Sequence, residues 1–358
     1  MNDLAYTQWK EHTLKRAAKA RIPASAQFEL TPRCNLDCKM CYVHNEKSNA
    51  YKDRELTTQQ WKSIFDSAVE NGLLFVTLTG GECLLRDDFQ ELYLHLYKKG
   101  VRITVLTNGT LLDDEYIRFF SAYKPETIQI SLYGSSDDGY LQVTGHRGFA
   151  RAVDAIEALI TADIPVRVVV TCSRYMKDDY INILRFCKER NYPMGNTEIN
   201  LFPNRDDPEK DDYYLSQEER LRLAMERALL YGPLNMPPEE LPPVGCADGK
   251  NLAKGTTCSA GNSLLSVTWE GVAYPCTCMM IGGVSLLETP YAEAWEKVKA
   301  AADRIVQGVE CTECAYRETC PKCPALRHAD FYSGHCDPSV CEMTQKLVAQ
   351  GIKKLEKV

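Results

Sequence analysis

The chain has 358 residues, 44% of them hydrophobic and 25% charged, with a net charge of -7; this is ordinary globular composition with room for two domains, and it excludes disordered, fibrous and general nucleic-acid-binding chains. Its 16 cysteines are too sparse for a small disulfide scaffold. The N-terminal MNDLAYTQWKEH has no signal-peptide apolar stretch, and no run reaches the roughly 18 apolar residues of a membrane span, so a cytoplasmic protein is expected, with cysteines used for metal or redox chemistry.

In chain order, residues 1-24 read as an N-terminal helical segment whose basic stretch, Lys10 to Arg21, is a solvated face. Residues 25-232 alternate six β-branched runs with helical periodicity. The runs are Ala26-Leu30, Leu74-Thr79, Val101-Thr107, Thr127-Leu132, Pro165-Thr171 and Thr197-Phe202. Phe89, Leu92 and Leu96 line one helix face, and Phe149, Val153, Ile156 and Ile160 another. Such alternation implies an α/β fold with a parallel sheet and right-handed crossovers. Six units can curl into a partial, TIM-like (β/α)6 barrel, with functional residues just after the strand C-termini. Five prolines between Pro233 and Pro243 mark a linker. Residues 233-358 then form a small cysteine-rich domain, with strands Leu264-Thr268 and Val272-Tyr274, a helix near Tyr291-Ala302 and a last helix from about Thr344. Ten of the 16 cysteines lie from Cys246 to Cys341, so this domain is expected to depend on metal centres for its fold.

After the first strand comes Thr31-Pro-Arg-Cys34-Asn-Leu-Asp-Cys38-Lys-Met-Cys41-Tyr42. Three thiolates within eight residues can face one centre, and on a 4Fe-4S cube they leave one iron open. A zinc knuckle would need a second cysteine pair nearby, and none follows. The loop resembles the signature of the radical S-adenosylmethionine (SAM) enzymes. The resemblance implies a 4Fe-4S cluster on Cys34, Cys38 and Cys41, SAM chelated through its amino and carboxylate groups, and reductive cleavage to methionine and a 5'-deoxyadenosyl radical. It also implies the partial (β/α)6 barrel.

Further positions match in order. Gly80-Gly81-Glu82 resembles the glycine-glycine-glutamate motif, which implies glycines that admit the cofactor and a carboxylate that receives the methionine ammonium; Cys83 stands where proline is usual and reads as a buried small hydrophobe. Leu106-Thr-Asn108-Gly109 and Ser131-Leu-Tyr-Gly134 end the third and fourth strands, implying SAM contacts from Asn108 and from Ser131. Met40 replaces an aromatic residue that often touches adenine, and Val143 and Thr144 occupy the region of the arginine that often clasps the SAM carboxylate. Arg167 is the replacement candidate, because a charge within Pro165-Val170 must face the barrel mouth or remain costly; a rim salt bridge is the equal alternative. Leu201 either packs on adenine or is a core leucine.

Cys258, Gly271, Cys276, Cys311-x2-Cys314-x5-Cys320-x2-Cys323 and Cys341 resemble the SPASM extension of radical SAM proteins, with the last internal spacing one residue short. Two auxiliary 4Fe-4S clusters are implied. One uses Cys258, Cys276 and Cys323, and either Cys246, with Cys278 competing, closes it as the fourth ligand or an iron is left open for a substrate thiolate. The other uses Cys311, Cys314, Cys320 and Cys341, with Cys336 competing for the last position. Cys172 and Cys187 read as core, and a zinc ribbon over Cys311 to Cys323 is the minority alternative. SPASM proteins mostly modify peptides, so the expected reaction is hydrogen-atom abstraction from a residue of a ribosomally made peptide, ending in a thioether or carbon-carbon crosslink. The alternative is dehydrogenation of a protein side chain or a small molecule. The sulfatase-maturing version of that alternative loses weight because Thr277 stands where those members place an aspartate. Expected partners are a precursor peptide and a flavodoxin- or ferredoxin-type reductant. About 25 residues precede the first strand, too few for a fused peptide-recognition domain, so leader binding is expected to be absent or to fall to a separate protein or to the N-terminal helix. Neither nucleic acid nor membrane is expected as a partner. Substrate choice should lie in barrel-mouth loops such as the acidic Asn204-Tyr214.

Overall fold

β-Branched segments pair side by side through the first two-thirds of the chain, and amphipathic helices cross between them. The computed structural model describes residues 3-43, 48-198, 205, 212-232, 252-256, 258-308, 311, 314-316, 319-320, 323 and 339-353. Six strands, β1 (Ser25–Glu29), β2 (Phe75–Thr79), β3 (Arg102–Thr107), β4 (Thr127–Ser131), β5 (Val166–Thr171) and β6 (Met194–Glu198), lie parallel in sequence order. The helices after α1 (Asp3–Ala20) are α2 (Thr58–Glu70), α3 (Phe89–Lys98), α4 (Asp114–Ala122), α5 (Asp137–Thr144), α6 (Phe149–Thr161), α7 (Tyr180–Glu189) and α8 (Gln217–Tyr231). α2 starts at a reciprocal cap between Thr57 and Gln60 and buries Trp61 and Phe65. Both rings pack on Phe28 of β1, with centroids 5.8 and 5.0 Å away.

Strand alternation divides the barrel wall. Phe28, Leu78, Val105, Ile130 and Val168 are fully buried toward the helices. The opposite face carries Gln27, Thr77, Thr104, Gln129 and Arg167, so the interior is polar. α1 closes the N-terminal end of the barrel: Trp9 packs on Phe75 at 5.8 Å, Lys10 lies 5.0 Å over the same ring and pairs with Glu126, and Arg102 donates to the Tyr6 hydroxyl at 3.2 Å. Its Lys15, Arg16 and Lys19 are exposed, as expected of a solvated basic face, whereas Lys10 and Arg21 at its two ends are half-buried and paired with Glu126 and Asp303.

The last third adds to this sheet. β8 (Leu264–Val267) pairs parallel with β1, Ser25 opposite Leu264, and β9 (Val272–Tyr274) and β10 (Val284–Ser285) follow antiparallel. The result is a nine-stranded sheet in the order β10-β9-β8-β1-β2-β3-β4-β5-β6. β7 (Leu252–Lys254) and β11 (Val306–Gly308) form a separate ribbon. α9 (Tyr291–Ala302) buries Trp295, whose indole donates to the Arg21 carbonyl at 2.8 Å. Among the described residues no helix is long and apolar enough to cross a membrane.

Three expectations shift. β6 begins at Met194 rather than Thr197, because a bulge between Val168 and Val170 resets its register; residues 199-202 of the expected strand lie outside the described residues. Ile160 is 42% exposed, since α6 already buries Ala152, Val153, Ala155, Ile156 and Leu159 and its next position turns outward. The last helix, α10 (Ser339–Ala349), starts before Thr344.

Candidate active site

The polypeptide leaves β1 into a loop, 31-42, that carries Cys34, Cys38 and Cys41, all half-buried. Backbone and side-chain contacts hold it from several directions. The Gly81 amide donates to the Thr31 carbonyl at 2.8 Å and the Glu82 amide to the Arg33 carbonyl at 2.7 Å. The glycine pair is required at this contact. A Cβ on Gly80, whose φ is +154°, would sit 2.4 Å from the Thr31 carbonyl oxygen, and one on Gly81 would sit 2.3 Å from that of Arg33. The missing side chains of these glycines let the cysteine loop approach this closely.

On another side, the Asp37 and Lys39 amides donate to the carbonyls of Thr144 and Val143 at 2.8 and 3.0 Å. The stretch that lacks the expected arginine thus serves the loop through its backbone. Asn108 donates from its side-chain amide to Asn35 at 2.8 Å, and its side-chain oxygen accepts from the Thr110 amide and hydroxyl at 2.9 and 2.7 Å. It positions the cysteine loop. Below, Arg33 grips Glu55 at 2.7 and 3.1 Å and Thr31 hydrogen-bonds the same carboxylate. Buried Arg86 donates to the Leu30 and Leu56 carbonyls at 3.1 and 3.0 Å and to Asp88.

Glu82 is 1% exposed. It accepts from the Leu84 amide at 3.1 Å, the Thr107 hydroxyl at 2.9 Å and the Asn108 amide at 2.8 Å. Among the described residues no cation pairs with it, and burial raises its carboxyl above the usual range despite the three donors. Burial likewise pushes the Cys34 thiol up to about 12, aided by the charges of Glu82 and Cys41, and raises Cys38, aided by Cys41 and Cys34. Desolvation and mutual repulsion therefore oppose three thiolates here unless a positive centre joins them. No three His, Cys, Asp or Glu side chains among the described residues are arranged to hold a single metal ion. A cubane takes each thiolate on its own iron, so this donor set fits a cluster, and Glu82 beside it fits an ammonium.

The other expected residues fall as follows. Ser131, half-buried at the end of β4, hydrogen-bonds Tyr133, whose hydroxyl is raised by burial first and then by Cys38. Arg167 pairs in register with Gln129, two residues below the Ser131 level, and is exposed; the burial cost that was expected to aim it at the barrel mouth does not arise, and no ion pair forms on it among the described residues. Met40 is a core residue at 6% exposure. Cys83 is fully buried with its sulfur 3.4 Å from the Leu106 carbonyl, and Cys172 and Cys187 are fully buried as expected. Leu201, Cys246 and Cys336 lie outside the described residues.

Beyond the barrel, burial raises the Cys258 thiol, with smaller contributions from the charges of Cys323 and Cys276. The Cys278 amide donates to the Cys276 sulfur at 3.5 Å, and the two adjacent thiols shift each other, Cys276 below and Cys278 above the ordinary thiol range. Cys311, Cys314, Cys320 and Cys341 are half-buried. Sequence reasoning missed Arg205, Glu29 and Glu55. A glutamate ending a strand of the wall was the available signal for Glu29, since its alternation aims it into the barrel mouth.

Residues 28-187 match the family profile described as the Radical SAM superfamily. The chain is 24% identical over 335 residues to the AdoMet-dependent heme synthase of Methanosarcina barkeri, covering 87% of this chain and 94% of that one. It is 32% identical over 158 residues to the PqqA peptide cyclase of Ruegeria pomeroyi, covering 44% and 42%. The chain spans only about a third to two-fifths of the length of this and the other peptide-maturing relatives it matches. In fold it is similar to Streptococcus suis SuiB bound to precursor peptide SuiA, with a TM-score of 0.62, 17% identity and coverage of 89% and 76%.

Proposed function

We propose, from the match of residues 28-187 to the profile of the Radical SAM superfamily, an enzyme that modifies a ribosomally made peptide by hydrogen-atom abstraction and joins two of its residues by a thioether or carbon-carbon bond. The observation that carries this reading is the meeting of three half-buried thiols with a buried carboxylate that has no cation partner among the described residues. When bound, a 4Fe-4S cluster and SAM supply an electron and, on SAM cleavage, a 5'-deoxyadenosyl radical that takes the substrate hydrogen.

The chain's own residues hold and orient. Cys34, Cys38 and Cys41 are the cluster ligands, Glu82 receives the SAM ammonium, and Gly80, Gly81 and Asn108 keep the loop and the carboxylate in register. Ser131 lies on the ribose or carboxylate side, with Arg167 and Leu201 as the remaining candidate contacts. Cys258, Cys276 and Cys323, with Cys246 or Cys278, hold one auxiliary cluster; Cys311, Cys314, Cys320 and Cys341 hold the other. Hydrogen abstraction needs no protein base, so positioning governs the rate. The similarity to a PqqA peptide cyclase supports a peptide substrate; a cytoplasmic location, a flavodoxin- or ferredoxin-type reductant and a separate leader-binding protein belong to the same reading.

Anaerobic iron and sulfide analysis should find about twelve irons per chain, as three cubes require; about four would remove both auxiliary clusters. Dithionite-reduced protein should release 5'-deoxyadenosine from SAM, and its failure to do so would overturn the reading. Glu82→Gln should weaken SAM binding at least ~30-fold, because removing one partner of a buried charge pair costs about 2-5 kcal/mol; equilibrium dialysis with the loaded protein checks it.

A second reading, action on a small molecule, is favoured by the heme synthase match running nearly the whole length of both chains. A mass change on a precursor peptide encoded beside this chain's gene supports the first reading, and a tetrapyrrole product supports the second.

A further inference from the structure

Glu29 ends β1 at 1% exposure, and a buried carboxylate must find a partner or pay several kcal/mol. It finds Arg205, which lies far away in sequence, at 2.7 and 2.6 Å in a two-pronged contact. The same guanidinium donates to the Thr277 carbonyl at 3.0 Å. The Arg205 amide donates to the Tyr42 carbonyl at 3.2 Å, and the guanidinium lies 5.4 Å over the Tyr42 ring.

Those contacts have a definite placement. Tyr42 directly follows Cys41 in the loop of the barrel, and Thr277 stands between Cys276 and Cys278. The latter pair sits in a tight turn in which the Met279 amide returns to the Cys276 carbonyl at 3.0 Å. One side chain therefore touches the strand that launches the first cysteine loop, the end of that loop, and the turn that carries the second cysteine group.

We propose that Arg205 is a positioning residue: anchored on Glu29, it locks the Cys276-Met279 turn to the Cys34-Tyr42 loop and sets the separation of the two metal-binding loops. The inference rests on the functional reading above for the presence of clusters on both loops. Only arginine suits the position, because lysine offers a single point of contact where the fork serves Glu29 and Thr277 together.

The test uses full-length protein, loaded anaerobically, as Arg205→Lys and as the double variant Glu29→Gln/Arg205→Gln, which folds without a lone buried charge. Amide hydrogen exchange should rise at least ~10-fold at Cys276-Met279 and around Tyr42, with the rest of the sheet protected as before. Iron content should match the parent protein, and the spin-spin interaction between the two reduced clusters, read by electron paramagnetic resonance, should weaken or broaden. Unchanged exchange at 276-279, or a rise spread evenly over the barrel as loss of general stability would give, overturns the proposal. A parent protein with only about four irons would instead overturn the auxiliary-cluster reading, while the exchange pattern would still decide the role of Arg205.

Discussion

Cys38→Ala is expected to reduce SAM cleavage to the uncatalysed background and to lower bound iron by about four per chain, the content of one cube. The backbone on either side of Cys38 is held, through Asp37 to Thr144 and Lys39 to Val143. No set of His, Cys, Asp or Glu side chains among the described residues is arranged to take over a metal. The apo protein should melt close to the parent, because a buried free cysteine behaves as a small hydrophobe. Anaerobic iron analysis and quantitation of 5'-deoxyadenosine check both halves. Retained cleavage would remove this loop from the chemistry.

Gly81→Ala should lose the same cluster although it removes no thiol. The added methyl meets the Arg33 carbonyl oxygen at 2.3 Å and the Pro32 carbonyl oxygen at 2.7 Å. Backbone atoms cannot rotate away as a side chain would, so the loop must move, at a cost of about 1-3 kcal/mol or more. Moving it breaks the paired hydrogen bonds from Gly81 and Glu82 that set the cysteines beside the carboxylate. Gly100→Ala is the control: its φ is +77° but a Cβ there meets nothing within 4 Å, so only about 1 kcal/mol of backbone strain is expected and cluster loading should be unchanged. Iron content separates the two variants, and equal loading would show that the glycine contact is dispensable.

What could be read from the sequence follows from how far each signal reaches. Period-two runs such as Val166 to Thr171 are local, and five of the six barrel strands begin within a residue of their expected starts. The cysteine spacing from Cys34 to Cys41 is also local, and the structure keeps those thiols on one loop. Pairings across long distances leave no such trace. Nothing in Leu264-Val267 distinguishes a strand of a separate unit from one that completes the open edge of β1, and nothing in the acidic stretch 204-214 marks Arg205 as the partner of Glu29. The roles of Asn108 and the glycines were legible as positions but not as contacts, because their partners, Asn35, Thr31 and Arg33, lie in a loop without regular periodicity.

The pairing of β1 with β8 also bears on the order of events during synthesis. β1 leaves the ribosome early and finds β2 on one edge soon after, yet its other edge waits for Leu264 to emerge. Until then the strand that launches the first cysteine loop presents unpaired amides and carbonyls, the kind of edge that invites wrong partners. Glu29 waits in the same way for Arg205. The strand that launches the metal-binding loop is therefore among the first segments made, yet its outer edge and its buried carboxylate are secured only when the chain is well advanced.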